Sequence, residues 1–163
     1  MTRGLGYHQS KITVMGRSLG SGPATYLASR HAVGALVLIS AFCSIRDAVR
    51  DKLGSLAALF VKDAFNNLER ISRVTSPVLI IHGKSDDVMP PKHSEKLYGI
   101  QKSNLDACPT ICQLHVFENM THSEMNFEDN LKTPLIRFLS SVGYMKQKRA
   151  VVKMPIYMFE GGK

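Results

Sequence analysis

The sequence predicts an α/β protein, a parallel sheet with helices on both faces. Three observations predict it. Two apolar runs, ALVLI at 35 to 39 and VLII at 78 to 81, are uninterrupted and too short for a packed helix, the pattern of strands buried on both faces. Helix-compatible stretches separate them, and strands alternating with helices make a parallel sheet. Gly16, Arg17, Ser18, Leu19 and Gly20 stand between a β-branched run and a helical stretch, a strand, sharp turn, helix junction.

Taken in order, residues 11 to 15 (KITVM) form the first strand and end at Gly16. A helix is expected from 23 to 31, opened by Pro23, which tolerates the first turn because it has no N–H to lose. ALVLI is the second strand. Residues 45 to 65 carry Ile45, Val49, Leu53, Leu56, Leu59, Phe60 and Val61 at helical spacing among charges, and this segment is expected over the sheet's carboxyl edge. Ser76 and Pro77 introduce VLII, the third strand, and Gly83 stops it. Helices fit 92 to 100 and 131 to 142, a fourth strand fits 113 to 117 (QLHVF), and 102 to 112 reads as a surface loop.

A length of 163 residues with 44% hydrophobic content is enough for one sizeable core. One globular unit is expected over 10 to 142, followed by a basic tail from 143 to 163. The net charge of +8 speaks to association with polyanions and not to fold. No arginine-rich helix, zinc-finger spacing or aromatic-interleaved basic stretch accompanies it, so nucleic acid is not an expected partner. Lys146, Lys148, Arg149 and Lys153 cluster in the tail, read as solvated or as a weak contact with acidic lipid headgroups.

Three cysteines, Cys43, Cys108 and Cys112, make an odd count, and no signal-peptide pattern opens the chain. A reducing, cytoplasmic setting with free thiols is the expectation. Cys108 and Cys112 with His115 are a poor zinc site, one ligand short and in a polar loop, so no metal or other cofactor is expected. No apolar run is long enough to span a bilayer, which leaves peripheral membrane association.

Chemistry concentrates where the strands end. In open parallel sheets, functional groups gather at the carboxyl ends of strands. The pattern Gly16-x-Ser18-x-Gly20 fits a nucleophile elbow, in which a Cβ at either flanking glycine is expected to collide with backbone. A serine hydroxyl needs a base, so the reading demands a histidine and an acid downstream. After VLII come His82, Gly83, Lys84, Ser85, Asp86 and Asp87. After QLHVF come Glu118, Asn119, Met120, Thr121 and His122. Ser, then acid, then His is the chain order of a triad on such a sheet, with Asp86 or Asp87 as the acid. Leu19 N–H, just after the nucleophile, is the expected oxyanion donor. Competing roles are a turn or capping acid for Asp86 or Asp87, a plain surface-loop histidine for His122, a packed or bracing His82, and a solvent-facing His93 at a helix start.

These residues make the chain resemble the α/β-hydrolase superfamily, and within it the intracellular α/β-hydrolase-domain proteins that act as protein depalmitoylases. The matching blocks are GRSLGSGPATYLASR around Ser18, DAFNNLERISRVTSPVLIIHGKSDDVMP around Asp86, and the histidine loop, over about 10 to 142. The resemblance implies the C-terminal portion of an α/β-hydrolase fold, and selects Asp86 as the acid because it is the third residue after the His-Gly pair. It implies Ser18 as nucleophile, His122 as base, and an acylated protein or lipid ester as substrate. The expected activity is that of a palmitoyl-protein thioesterase. The alternatives are a carboxylesterase, a monoacylglycerol lipase or a serine aminopeptidase-like hydrolase. The chain begins about where that family's nucleophile strand begins, so a partial domain lacking the N-terminal strands is expected. From another class comes a non-catalytic remnant that binds a partner.

Overall fold

The computed structural model describes residues 6–62, 64–103 and 111–144. Cys108, most of the 102 to 112 loop and the four basic tail residues lie outside them. Four strands, β1 (Thr13–Arg17), β2 (Ala35–Ile39), β3 (Val78–Gly83) and β4 (Cys112–Phe117), form one parallel sheet in chain order. Arg17 lies opposite Ile39, Ile39 opposite Ile81, and Gly83 opposite Phe117. That register brings the loops after β1, β3 and β4 to one edge.

Every residue of β2 and β3 is buried, as their unbroken apolar runs predict. Successive side chains of a strand point to opposite faces, and the two cores divide accordingly. Leu36, Leu38, Val78 and Ile80 pack with Ala24 and Ala28 of α1 (Ser21–Arg30), Ile71 of α4 (Asn67–Ile71) and Leu97 of α5 (Lys92–Ser103). Ala35, Val37, Ile39, Leu79 and Ile81 pack with Met120 and with Phe138 of α6 (Thr133–Ser141). Helices thus cover both faces of a parallel sheet.

Between β2 and α4 lie α2 (Ile45–Leu53) and α3 (Ser55–Leu59). Ser44 caps α2 by accepting the Asp47 N–H at 3.1 Å, and Gly54, with φ 88°, breaks the chain between the two helices. The Lys52 ammonium donates to the Asp87 carbonyl at 2.8 Å, which holds this segment at the sheet's carboxyl edge, where it was expected. Its apolar residues do not all turn inward. Leu53, Leu56, Leu59 and Phe60 are exposed, Phe60 to 91%.

Several boundaries move. β1 starts and ends two residues later than the expected strand: a 3-10 turn takes up Gln9–Lys11, Gly16 and Arg17 still pair with Leu38 and Ile39, and the strand ends where Ser18 takes a φ of 48°. α1 begins at Ser21, so Pro23 lies inside its first turn, where its missing N–H costs no helical bond. α4 was not expected: Asn66 caps it by accepting the Glu69 N–H at 3.2 Å. A π-type turn, Phe127–Lys132, precedes α6. Among the described residues, no helix is long and apolar enough to cross a membrane.

Candidate active site

The elbow is built from β1, a single 3-10 turn (Ser18–Gly20) and α1. A Cβ on Gly16 would strike the Gly20 carbonyl oxygen and lie 2.6 Å from the Ala24 Cβ, so the strand reaches the helix this closely only with glycine. Gly20 differs from the expectation. It has helical φ and ψ and nothing within 4 Å of the position a Cβ would take. Steric necessity therefore holds at Gly16 and not at Gly20, because the chain at Gly20 already turns outward into α1.

Ser18 is half-buried, and its Oγ lies 2.9 Å from Nε2 of His122, 104 residues away. The other ring nitrogen, Nδ1, lies 2.9 Å from Asp86 Oδ2 and 3.0 Å from Oδ1. An Nδ1–H donating to Asp86 leaves Nε2 free to accept from the serine. Asp86 is buried; its Oδ1 also accepts the Met89 N–H at 2.7 Å and the Val88 N–H at 3.1 Å. Burial alone would raise its pKa, but the Met89 amide and the His122 ring outweigh that and hold the carboxyl below its ordinary value. Asp87 is exposed, and only its backbone carbonyl is used, by Lys52. Of the two candidate acids, Asp86 alone meets the histidine.

The histidine loop docks on the end of β3. A Cβ on Gly83 would overlap the Met120 carbonyl, and Met120 itself is fully buried. The Ser85 hydroxyl donates to the Glu118 carbonyl at 2.7 Å, and Thr121 and Glu124 close the loop through two bonds of 3.0 and 3.1 Å. Leu19 follows Ser18 in the middle of the turn, with its side chain exposed.

His82 braces the acid loop. Fully buried, it donates from Nε2 to the Met89 carbonyl at 2.8 Å, and its Nδ1 accepts from the Ser94 hydroxyl at 2.6 Å. His93 is a correction: it is 2% exposed, not solvent-facing. Its Nδ1 accepts the Cys43 N–H at 3.2 Å and its Nε2 lies 2.9 Å from Asp51 Oδ2, so groups from the loop after β2 and from α2 enclose it. Cys43 and Cys112 are free, each thiol pushed up to about 12 by burial, which leaves them protonated at neutral pH. Among the described residues, no group of three or more His, Cys, Asp or Glu is placed to hold a metal ion.

Burial holds both His82 and His93 below the ordinary histidine value of 6.5. The unfolded chain binds those protons more readily than the folded one. Their neutral forms therefore contribute stability that is present above pH 6.5 and lost as pH falls toward the depressed folded values. The slope is at most about 1.4 kcal/mol per histidine per pH unit. Urea denaturation should show a midpoint that is level from pH 8 to 7 and drops from pH 6.5 to 5. A level midpoint down to pH 5 would contradict the buried, neutral assignment.

No family model matches the chain. It is similar to alpha/beta hydrolase domain-containing protein 17C of Homo sapiens, with 30% identity over 135 residues, 83% of this chain and 38% of that protein. Protein 17B of Homo sapiens is 34% identical over 93 residues, 57% of this chain and 31% of its own length. The matched stretch thus spans about 31 to 40% of the length of these curated relatives. Among solved structures, esterase PE8 superposes with a TM-score of 0.60 at 20% identity, covering 86% of this chain and 54% of that one. A Mycobacterium tuberculosis puromycin-hydrolyzing peptidase gives 0.65 at 17% identity, covering 88% and 23%.

Proposed function

The chain carries the C-terminal portion of an α/β-hydrolase fold, and on that premise we propose that it supplies the catalytic triad of a serine hydrolase that cleaves an acyl thioester or ester. The observation that carries the reading is the unbroken line from Ser18 Oγ through both nitrogens of His122 to Asp86, with no step longer than 3.0 Å. Three residues from three separate loops have no structural need to align in that order. A nucleophile, a base and an orienting acid do.

In the proposed reaction, Ser18 Oγ attacks the carbonyl carbon while His122 Nε2 takes its proton. Leu19 N–H receives the oxyanion. Collapse of the tetrahedral intermediate expels the thiol or alcohol, which takes the proton from His122. Water, deprotonated by the same nitrogen, then releases the acid from Ser18. Asp86 holds the Nδ1–H tautomer and stabilises the imidazolium in both steps.

A palmitoyl-protein thioester is the substrate favoured by the similarity to the 17C and 17B proteins and by the two long blocks around Ser18 and Asp86. The exposed Leu53, Leu56, Leu59 and Phe60, beside the basic Arg50 and Lys52, support work at the periphery of a membrane, where such acyl groups lie. The likeness to an esterase and a peptidase structure favours the second reading, a carboxylester or peptide substrate on the same triad.

Fluorophosphonate labelling of the native source tests the activity. Label on a Ser18 peptide is the expected result, whether the labelled species runs near 18.1 kDa or larger. Protein that is folded and unlabelled would leave the non-catalytic binding reading instead.

A further inference from the structure

Arg17 stands directly before the nucleophile, in the variable position of the elbow motif, and its side chain does not lie idle on the surface. Its guanidinium donates to the backbone carbonyl of His122, 105 residues away in the chain. We propose that Arg17 is a positioning residue that clamps the base to the nucleophile strand; this deepens the triad reading and rests on it.

The topology gives such a clamp a task beside the hold that Asp86 has on the ring. β1 and β4 are the two edges of the described sheet, so Ser18 and His122 come from loops separated by two intervening strands. The hydrogen bonds of the histidine loop described above run to the loop after β3 or stay within the loop, Ser85 to Glu118, Asp86 to His122 and the Thr121 and Glu124 pair, while Met120 packs it against β2, β3 and Phe138. Toward β1 the loop's hydrogen bonds among the described residues are two, the Ser18 to His122 bond itself and the Arg17 bond to the His122 carbonyl. The first of these cannot hold the ring, because its proton moves during the reaction. Once His122 is protonated and Ser18 is acylated, the ring must stay in place to deliver the proton to the leaving group. Arg17 holds the backbone of that same residue through a bond that no step of the reaction breaks.

The chemistry of the side chain suits the task. A guanidinium stays charged throughout, donates in a fixed plane and accepts nothing, so it cannot compete for the proton that His122 carries. Its bond to a carbonyl is charge-assisted and so stronger than a neutral one. Arg17 has no carboxylate partner among the described residues, so nothing else claims its charge. The depression that Arg17 lines with Ser18, His122 and Ser123 is open, and without the clamp solvent would compete for the His122 carbonyl.

The test compares Arg17→Ala and Arg17→Lys with the unaltered protein on a short acyl thioester. A base displaced by about 1 Å costs on the order of 100-fold. Arg17→Ala should lower kcat by about 10 to 100-fold with little change in KM, and Arg17→Lys, which keeps one charged donor, should recover at least part of the loss. A residue that only packed would alter stability without that split. In parallel, amide hydrogen exchange over 118 to 124 should quicken in Arg17→Ala and not in Arg17→Lys, a readout independent of catalysis. Unchanged kcat in an active Arg17→Ala overturns the clamp. If the unaltered protein shows no turnover, fluorophosphonate labelling of the native source decides the triad reading, and exchange alone decides the clamp: equal protection in both variants and the parent overturns it.

Discussion

Ser18→Ala should lower hydrolysis of a short acyl thioester by about a million-fold, while Asp86→Asn should lower it by about ten thousand-fold and Asp87→Asn hardly at all. The ranking follows from what each group does. Without Ser18 Oγ, no acyl-enzyme forms, and residual rate comes from binding and from Leu19 N–H alone. With asparagine at 86, the side-chain amide presents a donor where the carboxylate accepts from His122 Nδ1, which drives the ring to the wrong tautomer and removes the acceptor for the serine proton. Asp86→Asn also puts an N–H donor near the Met89 and Val88 amides that now donate to Oδ1, so some loss of stability accompanies the loss of rate. Asp87 is exposed and engages Lys52 only through its carbonyl, which asparagine keeps. Single-turnover rates on the three variants, each with a urea midpoint as a check on folding, decide the matter. Equal losses at Asp86 and Asp87, or turnover surviving in Ser18→Ala, would remove the mechanism.

Much of this architecture is legible in the sequence because its signals are local. β2 and most of β3 lie in unbroken apolar runs, and a run of four or five such residues has few other places to go than the middle of a covered parallel sheet. Ser18, Asp86 and His122 are legible because each follows a strand, and parallel strands share one carboxyl edge. The burial of His93 is different. Its neighbours in sequence, Lys92 and Glu95, are those of an exposed helix start, and what buries it comes from Asp51 and the Cys43 amide, more than 40 residues away. The role of Arg17 is hidden for the same reason, since its partner carbonyl lies 105 residues downstream. α4 depends on a five-residue turn capped by Asn66, too short for a periodic pattern to announce. The exposed Leu53, Leu56, Leu59 and Phe60 show the limit from the other side. Helical spacing of apolar residues foretells a face, but not whether this chain covers it.

The two glycines of the elbow motif give the sharper test of how the site is held, because symmetry of pattern and asymmetry of structure predict different things. As a pattern, Gly16 and Gly20 are equivalent. In the structure, a Cβ at Gly16 meets the Gly20 carbonyl and Ala24, neither of which is the far end of a flexible side chain, so β1 and α1 must part. Overpacking of this kind costs about 1 to 3 kcal/mol, and parting them moves Ser18 Oγ off its 2.9 Å contact with His122, which should cost on the order of 100-fold in rate. At Gly20 the backbone is already helical and the space is empty, so alanine fits without strain. Reducing the freedom of the unfolded chain there should stabilise the protein by about 0.4 to 1 kcal/mol. Gly16→Ala is therefore expected to fall in both urea midpoint and fluorophosphonate labelling rate, and Gly20→Ala to rise in midpoint with labelling close to that of the parent. If Gly20→Ala loses as much as Gly16→Ala, then the second glycine serves the approach of substrate and not the packing of the elbow, since the protein's own atoms leave that position open.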